Sequence, residues 1–457
     1  MKKIFLVLTI LCSCSSSDAQ NFIFFKLIRY DENYTRLKND SVGTVYKRTK
    51  YQPLSCKGNA YVSFGGDIRY QYFNIKNEEW GSTISDKDGF IFSRFILHAD
   101  FHTGDYIRTF VQLQSSLVDG KAITSPVDQD PLELHQGFID FNLMPYKKSS
   151  LLFRIGRQEL SYGSQRLIAV REGPNNRESF DGVKVVFSNG DCQADAFFSH
   201  FVQAQKGLFD DGFNKNNKFW GAYTVRKNIP IIQNIDLYYL GIWNRKTIFD
   251  DGAASELRHT IGSRIWSSKT KVRYDIEGVY QFGKFGEKDI SAWALASNAG
   301  YKFTKILLRP EVGLKSELMS GDAHYGDNKQ ESFNPLFPML SYYGYPALFA
   351  PSNLFDIHPS LTFELIKTLS LDIDYDLFWR YSLNDGIYGP NMILIYSGKN
   401  NPDRFVGKQL ETFLAYTPNN FLYLRGVVAW FNAGDFLKAA GPGKDILYSE
   451  ITMQLTF

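Results

Sequence analysis

Cysteine is nearly missing from this 457-residue chain: Cys12 and Cys14 fall within the first twenty residues, which leaves only Cys56 and Cys192. Two thiols build no disulfide framework, so folding must rest on backbone pairing and packing. An excess of one charge is missing as well, with 51 basic residues against 48 acidic ones and a net charge of +3. Nucleic-acid binders usually carry a clear basic excess, so that partner class is disfavoured. No apolar run beyond the N-terminus reaches the roughly 20 residues of a transmembrane helix. The seven histidines show no HxH spacing, and neither GxGxxG nor GxSxG occurs. No metal site, cofactor or catalytic residue is therefore assigned, and the chain is not read as an enzyme.

What is present is aromatic. Phe, Tyr and Trp make up 16 % of the chain, with 38 Phe and 27 Tyr, yet mean hydropathy is −0.26. That pairing suits an outer-membrane β-barrel, whose strands alternate between a lipid-facing apolar side with aromatic girdles and a polar side that faces the lumen. The opening MKKIFLVLTILCSCSSSDAQ has the layout of an export signal: Lys2 and Lys3, a short apolar core from Ile4 to Leu11, then small residues up to Ala19. Cleavage near Ala19 is expected, and lipidation at Cys14 is the alternative.

The alternation can be followed strand by strand. In LYSEITMQLTF, Leu447, Ile451, Met453, Leu455 and Phe457 share one face, opposite Tyr448, Glu450, Thr452 and Gln454. LSLDIDYDLFWRY sets Leu371, Ile373, Tyr375 and Trp379 against Asp372, Asp374, Asp376 and Arg380. VSFGGDIRYQY sets Phe64, Ile68, Tyr70 and Tyr72 against Asp67, Arg69 and Gln71. Such segments are longer than the usual soluble strand of about 5 or 6 residues. Eighteen can be drawn from residue 60 to the end, with a thirteenth at 305–317. Tight turns such as HTGD, NGD and TPNN alternate with long connections at 117–132, 158–180, 318–353, 383–402 and 433–445. This predicts an all-β fold: a transmembrane antiparallel up-and-down barrel of about 18 strands with both termini in the periplasm. Barrels of 16 to 18 strands hold an aqueous channel. Residues 1–19 are assigned to the signal peptide, 20–58 to a periplasmic N-terminal segment and 59–457 to the barrel.

The densest charge lies between two of these strands, in GRQELSYGSQRLIAVREGPNNRESFDG (156–182). Arg157, Arg166, Arg171 and Arg177 alternate there with Glu159, Glu172, Glu178 and Asp181. Folded into the barrel, the segment would narrow the channel and gather positive field at one level. Inward-facing Arg69, Arg94, Arg154, Arg309, Arg380 and Arg425 would extend that field, and rings of arginine select anions. The plainer alternative is a salt-bridged loop in which the same acids hold the arginines, and the two readings can hold together. Asp372, Asp374 and Asp376, stacked on one strand, are expected either to pair with arginines on neighbouring strands or to favour cations locally. The acidic runs DQDPLE (128–133) and DDG (210–212, 250–252) are oxygen-rich and could hold Ca²⁺ loosely, but they lack the ordered spacing of a calcium loop and read first as solvated turns.

GRQELSYGSQRL followed by NNRESFDGVKV, together with VGKQLETFLAYTPNNFLYLRGVVAWFNAGDFL and PGKDILYSEITMQLTF, resembles the alginate export family of outer-membrane porins. The resemblance spans nearly the whole chain after the signal. It implies an 18-stranded barrel in the outer membrane of a Gram-negative bacterium and a channel lined by arginines that passes a polyanionic uronate polysaccharide. The expected function is a passive channel for an anionic sugar or small anionic solute. Outer-membrane lipid and periplasmic export or uptake proteins are its expected partners. Two rival readings remain. One is a barrel that binds or adheres through external aromatic loops such as 331–351; the other is a hydrolase on the barrel rim.

Overall fold

The structure, a computed structural model, describes residues 25–39, 44–56, 59–84, 86, 88–145, 149–268 and 271–457; the expected signal peptide lies outside them. Eighteen strands of 9 to 17 residues build one barrel. They are β1 (Ala60–Lys76), β2 (Phe90–Thr103), β3 (Ile107–Asp119), β4 (Asp130–Asn142), β5 (Ser149–Gln158), β6 (Phe180–Asn189), β7 (Cys192–Gln203), β8 (Asn217–Ile229) and β9 (Gln233–Phe249). There follow β10 (Gly252–Ser267), β11 (Val272–Phe285), β12 (Lys288–Lys302), β13 (Glu311–Met319), β14 (Leu354–Ile366), β15 (Leu369–Arg380), β16 (Phe405–Tyr416), β17 (Leu422–Ala433) and β18 (Ile446–Thr456). Each pairs antiparallel with the next. β18 returns to β1 in a register that runs from Asp67 opposite Thr456 to Lys76 opposite Leu447, so no edge is left open.

The period of two sets the faces. On β1, Phe64, Tyr70 and Tyr72 are exposed on the outside, and the alternating Asp67, Arg69 and Gln71 are buried on the inside. Connections at the end that carries the termini are tight, and most of those at the opposite end are long. The thirteenth strand begins at Glu311 rather than at 305. Leu308 and Arg309 take left-handed φ values of 61° and 41°, and Pro310 has no N–H for the ladder, so residues 303–310 form a turn. Arg309 consequently sits in this turn rather than on a lining strand, and bonds Glu364 at 3.3 Å.

Two layers of chain fold into the bore. At the terminal end, Tyr30 lies edge-on between Phe110 and Phe138, with ring centroids 6.0 and 5.2 Å away. Arg29 and Lys50 both reach the carbonyl of Phe457 (3.0 and 3.1 Å). From the other end, residues 159–179 and 320–353 fold inward against the wall.

Candidate functional site

The inward turn of 159–179 begins at a pair of glycines. Gly156 on β5 faces Gly182 on β6 across the hairpin. Gly156 has φ +131°, and a Cβ there would lie 2.3 Å from the carbonyl of Gly137. Only glycine passes this point unstrained. The loop is then pinned by two asparagines: the Nδ2 of buried Asn175 donates to the carbonyls of Leu117 and Asp128 (2.9 Å each), and that of Asn176 donates to Asp130 (2.8 Å).

Further in, the two long loops pair with each other. Ala169 N donates to Phe337 O (2.8 Å), Phe337 N to Leu167 O (2.9 Å) and Met339 N to Gln165 O (2.9 Å). Leu160, Leu167 and Ile168 are buried against Phe180, Phe197, Phe219 and Phe337. These rings lie within aromatic contact of one another, with Phe337 5.0 Å from both Phe180 and Phe219. The inner face of β6 to β9 is therefore apolar where it receives the loop.

Charge gathers at two nodes. At the first, Arg69 donates to the carbonyls of Glu172 (2.6 Å) and Pro174 (2.8 Å), Arg94 bonds the Glu172 carboxylate, and Arg177 lies 3.1 Å from it. Asp67 and Glu159 complete the node, 3.6 Å from Arg94 and 3.2 Å from Arg177. Burial pushes the Glu172 carboxyl up, but Arg94, Arg177 and Arg69 outweigh it and bring the group down to about 2. At the second, Arg166 reaches Glu317 (2.9 Å), Asp275 (2.9 Å), Glu277 (2.8 Å) and the Tyr342 hydroxyl. Arg264 adds bonds to Asp236 (2.9 Å) and Asp275. Two guanidiniums face four carboxylates here, so this side of the bore is richer in acid.

With this geometry in place, the comparison with known proteins is direct: the family model for alginate export matches residues 60–445. The chain belongs to the alginate export family. It is an outer-membrane barrel of porin type. Similar solved structures include a BenF-like porin from Pseudomonas fluorescens Pf-5, with a TM-score of 0.59 at 11 % identity, covering 87 % of this chain and 98 % of that one. OccK2 (OpdF) of Pseudomonas aeruginosa, solved with glucuronate, gives 0.56 at 12 % identity, covering 87 % and 98 %. OpdK of the same species, solved with vanillate, gives 0.54 at 11 %, again covering 87 % and 98 %. At these identities the likeness is one of fold. No curated protein matches the sequence.

In this alginate export barrel the remaining sequence candidates scatter. Arg157 lies on β5 and forms a two-pronged pair with Asp181 on β6 (2.9 and 3.0 Å). Arg171, at φ 54°, bonds Glu178 (2.7 Å). Arg154 pairs with Asp140 (2.7 Å) beneath Tyr30. Arg425 pairs with Glu450 (2.5 Å), and its guanidinium lies 4.0 Å from the centre of the Tyr345 ring. Arg380 is different: its hydrogen bonds go to backbone carbonyls, those of Asn401 and Asp403 (2.6 Å each), Leu383 and Asp385, and its guanidinium lies 4.1 Å from the centre of the Phe436 ring, so it clamps the loop 381–404. Arg157, Arg171 and Arg177 thus have acids of the same run for partners, as in the salt-bridged reading, whereas Arg166 is held by Asp275, Glu277 and Glu317 of the wall.

Three expectations change. Of the two expectations for the acids of β15, it is the pairing with arginines that is not seen among the described residues: Asp376 pairs with His358 (2.9 Å) and Asp372 with Thr362. The aromatic stretch 331–351 does not display its rings outside, because Phe333, Phe337, Tyr343 and Phe349 are buried in the bore. Asp130 and Glu133 are not solvated turn residues but are buried at the start of β4. The residues the sequence reading passed over are Asn175, Asn176 and Tyr342. The PNN triplet was visible, but the carbonyls it binds belong to strands far away in the chain.

Proposed function

We propose that this barrel lets small anionic solutes, acidic saccharides first among them, diffuse across the outer membrane past an arginine-rich constriction formed by 159–179. In this reading both termini face the periplasm. Arg69, Arg94 and Arg177 select, while Arg157, Arg166 and Arg171 hold the constriction in shape.

The observation that carries the reading is the setting of Glu172. Its side chain is 30 % exposed, whereas those of Arg69, Arg94 and Arg177 around it are at most 3 % exposed. The bore therefore contains a place built for a carboxylate and reachable by solvent. A solute carboxylate that competes for it meets guanidiniums already oriented by Asp67 and Glu159, so little ordering entropy is lost. Exchange with a tethered carboxylate keeps each stop brief, as conduction demands. The glucuronate and vanillate found with two porins of this fold make glucuronate a sensible probe.

The test is the reversal potential of the reconstituted protein in a planar bilayer under a KCl gradient, with and without glucuronate. The reading expects anion preference and reduction of the chloride current by glucuronate. Cation preference, which the acid-rich wall around Arg166 would impose if it dominated, overturns it; so does the absence of conductance.

A further inference from the structure

Two acidic runs that are far apart in the chain meet at the loop end of the barrel. Asp130 and Glu133, from DQDPLE at the start of β4, and Asp211, from DDG in the loop 204–216, place one carboxylate oxygen each within 4.8 Å of one another. The loop is fastened to do this. Asp210 N donates to Glu133 (2.6 Å), Phe209 N to Leu132 O (3.0 Å) and Gln205 N to Asp211 (2.7 Å).

Acidic clusters are common on surfaces, but this one is largely out of water: Asp130 is 2 % exposed and Glu133 3 %. One oxygen of Asp130 accepts from Asn176, and the other, Oδ1, is buried without a hydrogen-bond partner. The neighbouring guanidinium, Arg157, gives its two-pronged contact to Asp181 and reaches only the backbone carbonyl of Asp211, at 3.2 Å. Among the described residues no lysine or arginine forms an ion pair with any of the three carboxylates. Buried like charges with an unsatisfied oxygen are costly unless a proton or a metal cation joins them.

We propose that Asp130, Glu133 and Asp211 bind a calcium ion that ties the loop 204–216 to the barrel wall. The donor set is all oxygen, which selects a hard cation over zinc or copper. Calcium accepts six to eight oxygens at about 2.3–2.6 Å in adaptable geometry, and opposite ligands then lie about 4.6–5.2 Å apart. The carboxylate oxygens at this site, all within 4.8 Å of one another, can share one such ion. Magnesium dehydrates reluctantly and is usually held by one or two carboxylates with several waters retained, so a site of three protein carboxylates favours calcium. Asn176 belongs to the in-folded loop and bonds the same Asp130, so the ion would stiffen the junction where the constriction leaves the wall. The proposal does not depend on which solute the channel passes.

The experiment is a calorimetric titration of the full-length protein in detergent, stripped with EGTA, with CaCl2 and separately with MgCl2. One calcium per chain is expected, with an affinity of about 10⁻⁴ to 10⁻³ M, as in other extracellular calcium sites. Binding should raise the thermal midpoint, be weaker for magnesium, and vanish in Asp130→Asn/Asp211→Asn. Asp211→Asn alone leaves the wall strand untouched and keeps the test decisive if the double variant does not fold. Absence of calcium binding to the native chain, or equal binding by Asp211→Asn, overturns the proposal.

Discussion

Arg94, on the second strand of the wall, is hydrogen-bonded to Glu172, at the inner turn of the loop between the fifth and sixth strands. Wall and in-folded loop are therefore one electrostatic unit. A charge removed from the loop is felt by a buried guanidinium on the barrel, and the reverse also holds.

Replacing Glu172 with Gln isolates that coupling. Arg69, Arg94 and Arg177 lose a shared counter-charge, so the reversal potential in a salt gradient should move further towards chloride. The loop should lose about 1–3 kcal/mol of its anchoring. The pH dependence has a definite sign. With its carboxyl at about 2, below the ordinary value of about 4.3, Glu172 contributes stability that is full above the ordinary value and is lost as pH falls towards 2. Selectivity set by this group should stay constant between pH 7 and pH 5. A step within that window would assign the control to another group.

Asn175 is the loop's deepest anchor. Its side chain is wholly buried and its Nδ2 serves the carbonyls of Leu117 and Asp128 at once. Asn175→Ala leaves those groups short of a donor, at a cost of about 1–3 kcal/mol. The expected outcome is a barrel that still forms but whose 159–179 loop is cut by trypsin at Arg171 or Arg177, sites that should resist in the native protein. Single-channel current should also become noisier.

Gly156 and Gly173 make a matched pair of controls within the same stretch. Gly156→Val places a branched side chain at φ +131°, with a Cβ 2.3 Å from a carbonyl oxygen, whereas a Cβ on Gly173 meets nothing within 4 Å. The first should prevent assembly of a heat-resistant barrel on a semi-native gel; Gly173→Ala should migrate as the native protein does.

The barrel was legible because its signal is local. Period-two alternation on strands such as Ile446–Thr456 needs no knowledge of the neighbours. The filling of the bore was not legible, because it depends on distant partners: Arg166 finds Glu317, 151 positions further on. The inner face of Asn217–Ile229 carries Phe219 and Tyr223 where a lining strand should be polar, a departure that only the incoming Leu160 and Phe337 explain. The same holds for Asp130 and Asp211, each unremarkable in its own run. The acids of 157–181 could be named as partners of its arginines because those pairs are mostly short-range, as between Arg171 and Glu178.

The most direct test of the account is the single-channel conductance and ion selectivity of a variant in which residues 160–176 are replaced by a short Gly-Ser linker, measured beside the native channel. If this loop is the constriction and its arginines select, conductance should rise severalfold and the anion preference should collapse. Unchanged conductance together with unchanged selectivity would contradict the account.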